Sequence, residues 1–481
     1  SVEECLSPFP KACLPGYFIR KYGRNPIIPL KSRVSPITYG TPTMTNCIPN
    51  KVRFSSCNGL KVEAEFVKEE ITSDGGVLLL KEIDRKLKLT ERLCKIIPDK
   101  RDQSRIQHSL LSMLRQRIYG LALGYEDLND HNYIRHDLGL QTAVNRIEAL
   151  ASSPTLCRLE NTTDRKVAVE MNKLAVELFI ESFANAPKEI TLDIDATEDE
   201  VHGHQEGHHY HGYYECNCFL PLHIFCGEQL IASYLRPSSM DGAKHAWAIL
   251  ALIIKRFKQV WPFVNIIIRG DSAFCRDFML RWFEKNNIKY ITGISSNNRI
   301  EQKMKPILEA AGHSFKGAQE TIQVFSEFQY AAESWNKERR VIARIKHEDG
   351  ITEMRYVVTN LKQSNPATLY KDIYCQRGNM ENRIKEIKND LYSDRTSCHY
   401  WWPNQFRVLL SSMAYILIES MRRLALKNTE LAKAQCSTIR LKLYKIGAII
   451  LRNTRRVRFL LSNSFSKAEL FLSTAEILCD G

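Results

Sequence analysis

Nowhere in its 481 residues does the chain carry a Cys-x-x-Cys pair, although it has 14 cysteines, scattered from Cys5 to Cys479 with no secretory-type leader ahead of them. That pattern argues against a disulfide framework and for reduced thiols in a cytoplasm. Long apolar runs are missing as well. The best candidate, Ala248 to Ile254, meets charge within a few positions and falls short of the roughly 18 residues needed to cross a bilayer. Acid is scarce relative to base, with 54 Asp plus Glu against 68 Lys plus Arg, a formal charge of +14. Such an excess suits a polyanionic partner, because Lys and Arg that neutralise phosphates release condensed counterions. Charge alone leaves a merely soluble basic protein open. General disorder is excluded, since 44% hydrophobic residues can bury enough surface to offset the entropy of ordering.

What is present suggests several parts. Residues 1–60 are rich in Pro, Ser, Thr, Asn and Cys without a sustained period, and read as a disordered leader. The first residue is Ser, and Met44 lies just ahead of the patterned sequence, which suggests a gene-boundary artefact in residues 1–43. Residues 61–185 read as a helical DNA-binding region. There Leu110, Leu111, Leu114, Ile118 and Leu121 form an apolar stripe between Arg105, Arg115 and Arg117, although a core helix with a solvated basic face gives the same pattern. From 186 to 300 the sequence turns to mixed α/β: strands at Glu189–Ile194, Phe219–Phe225, Glu228–Leu235, Val264–Ile268 and Lys289–Ile294, with helices at Ala243–Val260 and Arg276–Asn286. Residues 301–365 read as a β-rich, largely antiparallel insertion, with strands at Thr321–Tyr330, Arg339–Lys346 and Met354–Thr359. Helices return at 366–426, namely Asp372–Leu391 and Asn404–Leu426, and 427–481 forms a basic C-terminal region. In the latter, residues 431–468 hold no Asp or Glu but carry Arg440, Lys442, Lys445, Arg452, Arg455, Arg456 and Arg458.

Three acidic positions carry the chemistry. Asp193 and Asp195 share one face of the otherwise apolar strand in Leu192-Asp-Ile-Asp-Ala-Thr197, and charge on a buried strand is costly unless paired or metal-bound. Asp271, in Arg269-Gly-Asp-Ser-Ala-Phe274, directly follows a strand, where α/β sheets place their sites. An Asp before Ser can also simply cap the next helix. Glu381 lies in Tyr374-x2-Arg377-x3-Glu381-x6-Lys388, and at about 100° per residue these four fall on one narrow helix face. Hard divalent cations need such carboxylates from separate segments, with room for water and phosphate.

The order Asp195, Asp271, Glu381, with separations of 76 and 110 positions, resembles DDE transposases of bacterial insertion sequences that carry a β insertion before the last acid. The Tyr-Arg-Glu-Lys spacing matches that group's signature. More narrowly, Asp193 to Gly207, His211-Gly-Tyr-Tyr214 and Leu220-Pro-Leu222 look like the insertion-sequence thirteen-eighty family. The resemblance covers about 65 to 460 and implies an RNase H-like mixed sheet flanked by helices. It implies Asp195, Asp271 and Glu381 as catalytic ligands of Mg²⁺, with Mn²⁺ as a substitute, and Asp193 as the alternative first ligand. Asp195 is favoured because it stands in the Asp-x-Thr pattern nearer the strand's end. DNA contacts fall to Tyr374, Arg377 and Lys388, with the cations pointing into the groove and contributing little to stability. The implied activity is cut-and-paste DNA transposition: binding of terminal inverted repeats, strand cleavage and strand transfer by a nucleoid-associated protein, a homodimer in its synaptic complex with double-stranded DNA.

Other features are weaker. Trp335 beside Arg339 and Arg340 is a candidate for stacking on an unpaired base, and a core tryptophan is the alternative. His202, His204, His208, His209 and His211, with Cys216 and Cys218, fit none of the usual paired zinc-ligand spacings. A host nuclease or resolvase on the same fold, or a domesticated non-catalytic DNA-binding protein, are the rival readings.

Overall fold

The computed structural model describes residues 51–315, 321–362 and 365–480, in two compact units divided at Glu70 and Ile71. Residues 1–50, with the leader and Met44, lie outside the described residues. Part of the expected leader is ordered, however. Lys51–Cys57 pairs antiparallel with Leu60–Glu65. The turn between them is Asn58-Gly59, with φ of 48° and 79°, the residue pair a tight hairpin turn selects because both positions need positive φ.

From Ile71 onward the chain is one unit. Its first part is helical, with α1 (Val77–Leu87), α2 (Leu110–Leu123), α3 (Ser153–Glu160) and α4 (Arg165–Glu181). Asp164 begins α4 by accepting a hydrogen bond from the Val167 amide at 3.0 Å, which satisfies one of the free N–H groups of the first turn.

A mixed eight-stranded sheet follows, as an α/β reading requires. Its strands are β1 (Glu189–Ala196), β2 (Leu222–Cys226), β3 (Gln229–Tyr234), β4 (Asn265–Gly270), β5 (Lys289–Ile294), β6 (Ile322–Tyr330), β7 (Arg339–Glu348) and β8 (Ile351–Thr359). Their spatial order is β6-β7-β8-β5-β4-β1-β2-β3. Strand β4 runs parallel to both β1 and β5, and the other neighbours are antiparallel. Ile190, Leu192 and Ile194 alternate onto one face of β1, where they join a core with helices α5 (Ala246–Val260) and α6 (Asp277–Lys285). The opposite face presents Asp193 and Asp195.

The segments read as an antiparallel insertion, β6 to β8, pair antiparallel with one another, and β8 pairs with β5 and extends the main sheet. Two expectations need correction. The strand read as Phe219–Phe225 is two strands, because Leu220-Pro221 ends Cys216–Phe219, which belongs to a small separate sheet, before β2 begins. The helix expected at Asp372–Leu391 is broken into π-type turns at Leu369–Tyr374 and Glu386–Asp390 flanking a 3₁₀ turn and the short α7 (Gly378–Lys385). Helix α8 (Trp401–Ala425) then crosses the core, and the hairpin β9 (Ala448–Arg452) with β10 (Val457–Leu461) comes near the end. Among the described residues every cysteine is a free thiol, and no helix is long and apolar enough to cross a membrane.

Candidate active site

The parallel register of β1 and β4 places Asp193 beside Arg269 and Ile194 beside Gly270. Asp195 and Asp271 each lie two positions beyond the Asp193–Arg269 pair, so they leave adjacent strands at the same, carboxyl-terminal edge. Asp271 also caps the turn Ser272–Phe274, accepting a hydrogen bond from the Ala273 amide at 3.0 Å. Capping is thus present, and Asp271 lines a cavity as well.

The third acid arrives through Arg377. Its guanidinium donates to Asp195 Oδ2 at 2.9 Å and to Glu381 Oε1 at 2.7 Å, joining the end of β1 to α7. Asp271, Tyr374, Arg377 and Glu381 line a cavity of about 450 Å³, whose lining also includes Arg344 and Arg355 from β7 and β8. Burial pushes the Asp195 carboxyl up to about 7, against the pull of Arg377 and with repulsion from Asp271 and Glu381. Burial likewise raises Asp271, again opposed by Arg377. Burial thus disfavours the charged form of both aspartates.

Asp193 has a different setting. It is buried and forms a two-pronged pair with Arg269, through Nε to Oδ1 and through Nη2 to Oδ2 at 2.7 Å. Arg269 also donates to the Ile373 carbonyl. That one guanidinium ties β1, β4 and the segment leading into Tyr374, which are the three pieces of chain that carry the acids.

Lys388 and Arg377, expected to point into a groove, are both mostly covered. Their side chains are only 19% and 18% exposed. The π-type turn after α7 takes an extra residue and rotates the side chains beyond it. Lys388 is turned to Glu198, binding its side chain at 2.8 Å and its backbone carbonyl. Nearby Asp199 is fully buried with neither carboxylate oxygen hydrogen-bonded, and burial drives its pKa well up, with Lys388 opposing. Trp335 is not among the residues lining the cavity. It packs edge-on to Tyr330 with ring centroids 5.4 Å apart, and the Arg339 guanidinium lies 5.1 Å from its ring centre. Arg339 is itself held by Asp277 and Glu284, so the ring face is used inside the protein. His208 bonds the Gln205 carbonyl, His202 pairs with Glu200, and His209 and His211 lie in a short strand.

A family model, transposase DDE domain group 1, matches residues 54–480. The chain belongs to that family. Among solved structures, the cryo-EM structure of a piggyBac transposase synaptic complex with hairpin DNA is similar, at 11% identity and a TM-score of 0.39, covering 79% of this chain and 82% of that one. No curated protein matches in sequence.

This DDE transposase also has site-shaping residues that motif reading passed over. A Cβ added at Gly293 in β5 would lie 2.9 Å from the Tyr374 hydroxyl oxygen and 3.0 Å from the Ser272 amide nitrogen. Glycine inside a strand is a sign of such close approach. Arg269 could have been found by the argument that picked out Asp193, since it is a charge ending an apolar strand and therefore needs a buried partner.

Whether divalent cations suit this pocket is a question of donor chemistry and spacing. All three acids offer the oxygen ligands that Mg²⁺ prefers, and Asp195 is short of compensating charge. Among the described residues no three His, Cys, Asp or Glu side chains are grouped closely enough to hold one ion by themselves. Mg²⁺ does not require that, because it binds through one or two carboxylates and completes its shell with water and substrate phosphate. The donor set fits an ion of this kind.

Proposed function

We propose that this chain is a cut-and-paste DNA transposase that holds Mg²⁺ or Mn²⁺ with Asp195, Asp271 and Glu381 and acts on the terminal inverted repeats of its own insertion sequence. The observation that carries the reading is the meeting of Asp195 and Glu381 on one guanidinium, beside Asp271 in a cavity. The order β3-β2-β1-β4-β5 within the sheet supports an RNase H-like core. The motif segments from Asp193 to Leu222 support the insertion-sequence thirteen-eighty group.

When bound, two divalent ions supply Lewis acidity to the scissile phosphate and make water or a DNA 3′-hydroxyl a better nucleophile. The protein's own residues do the rest. Asp195, Asp271 and Glu381 fix where such ions sit. Tyr374, Arg377 and Lys388 hold the strand to be cut, and Arg344 and Arg355 add positive charge to the cavity lining. Asp193 and Arg269 touch no substrate in this scheme; they keep the acid-bearing segments in register. A second subunit completes the synaptic complex on double-stranded DNA.

Asp271→Asn tests the reading. Removing even an outer partner of a metal ligand costs about 10–100-fold, so loss of the ligand itself should cut Mg²⁺-dependent cleavage by more than that while gel-shift binding of transposon ends persists. Cleavage at the wild-type rate would remove Asp271 from the site.

A further inference from the structure

We propose that the arginine-tipped ribbon β9–β10 is a docking surface for duplex DNA, separate from the cavity that holds the acids. This rests on the reading of the chain as a DNA transposase and extends it to a second contact. In the hairpin, Ile450 faces Phe459 and Ala448 faces Leu461. These pairs turn inward, with Ala448 and Ile450 buried. The outward face carries Ile449 opposite Leu460 and Leu451 opposite Arg458, all exposed. At the tip, Asn453 Oδ1 accepts hydrogen bonds from the amides of Arg455 at 3.0 Å and Arg456 at 2.9 Å, and the Asn453 amide donates to the Arg456 carbonyl at 3.0 Å. The turn is therefore braced in advance by a side chain, as Asn does in such turns.

Charge identifies the partner. Arg455, Arg456 and Arg458 are exposed, and among the described residues none has a carboxylate partner. The cations of the cavity differ, since Arg377, Arg344 and Arg355 are all ion-paired. No Asp or Glu occurs between 431 and 468 to provide compensation along the chain. Three uncompensated guanidiniums on one rigid tip repel one another, and a surface that neutralises them must be densely anionic. Duplex DNA, with one charge per roughly 1.7 Å of axis, is such a surface. Strand β9 has a further strand neighbour on its other side, so the arginine-bearing turn and the free edge of β10 are what a major groove about 12 Å wide would admit.

The experiment is fluorescence anisotropy of the full chain with a labelled random-sequence duplex, titrated across salt concentration. Replacing Arg455, Arg456 and Arg458 together by Gln should flatten the slope of log affinity against log salt by about 2.7, roughly 0.9 for each lost contact. Each single change should remove about a third of that, and the triple Lys variant should keep the wild-type slope. Thermal unfolding should barely move, since all three side chains are exposed. A wild-type slope in the triple Gln variant overturns the ribbon while leaving the transposase reading in place. Failure of the wild-type chain to bind duplex at all overturns both. If the variant keeps its slope but changes its sedimentation mass, the ribbon is a contact between copies of this chain and the DNA assignment is wrong.

Discussion

At the scale of single residues, Arg377 decides how the acids coexist. The single guanidinium of Arg377 is shared between Asp195 and Glu381, one positive charge for two carboxylates. A divalent ion held by the same carboxylates would compete for that position and release Arg377 toward phosphate. Arg377→Ala should therefore destabilise the ion-free protein by about 1.5–3 kcal/mol, the usual worth of hydrogen bonds to charged groups. Mg²⁺ or Mn²⁺ should then raise its melting temperature more than it raises that of the wild type. Thermal shift against ion concentration reads this without requiring catalysis. Equal shifts in the two proteins would mean that Arg377 and the ion do not share ligands. Lys388 is a different case, because its partner Glu198 is not one of the three acids. A phosphate could draw it away without disturbing them.

At the scale of elements, the pair Asp193–Arg269 locks β1 to β4, and the Arg269 bond to the Ile373 carbonyl adds the segment before α7. Breaking a buried ion pair from one side strands a charge and costs about 3–5 kcal/mol. Arg269→Gln should lose that much in denaturant unfolding, and adding Asp193→Asn should restore part of it. If the double variant is no more stable than Arg269→Gln, the two residues are not a coupled pair. Strands β1, β4 and β5 were legible in the sequence because each is a short apolar run, and Asp193, Asp195 and Asp271 stood out because charge on or just after such a run needs a reason. The break of the 369–390 segment into π-type turns was not legible. Periodicity arithmetic presumes an unbroken α-helix, whereas here the packing of Leu369 and Tyr370 onto Ile267 and Ile291 holds the chain in another winding. Nor could local pattern show that β8 joins β5. A strand's hydrogen-bonding edge accepts any partner of suitable register, and that choice belongs to the tertiary fold.

At the scale of the whole unit from Ile71 onward, the helical first part and the later helices share one interior. Leu114 and Ile118 of α2 and Leu174 of α4 lie in the same buried cluster as Met380 of α7 and Leu410 and Met413 of α8. Helix α4 also sends Val176 and Phe179 into the cluster beneath the sheet, so the expected DNA-binding region and the eight-stranded sheet share buried packing. A polar joint runs through the same interior. Glu160, at the end of α3, is fully buried and receives Arg117 of α2 on one oxygen at 3.1 Å and Arg407 of α8 on the other at 2.7 Å. Both guanidiniums would be left without their counter-charge if it were removed, and the cost of an uncompensated buried charge is again about 3–5 kcal/mol. Glu160→Ala should thus lower the stability of the helical part and the sheet together, because the shared cluster couples them. Calorimetry and near-ultraviolet circular dichroism should report one coincident transition moved to lower temperature. Two resolved transitions, only one of them shifted by the substitution, would show instead that the first helices fold apart from the sheet, and the shared interior would then not be what positions the acids.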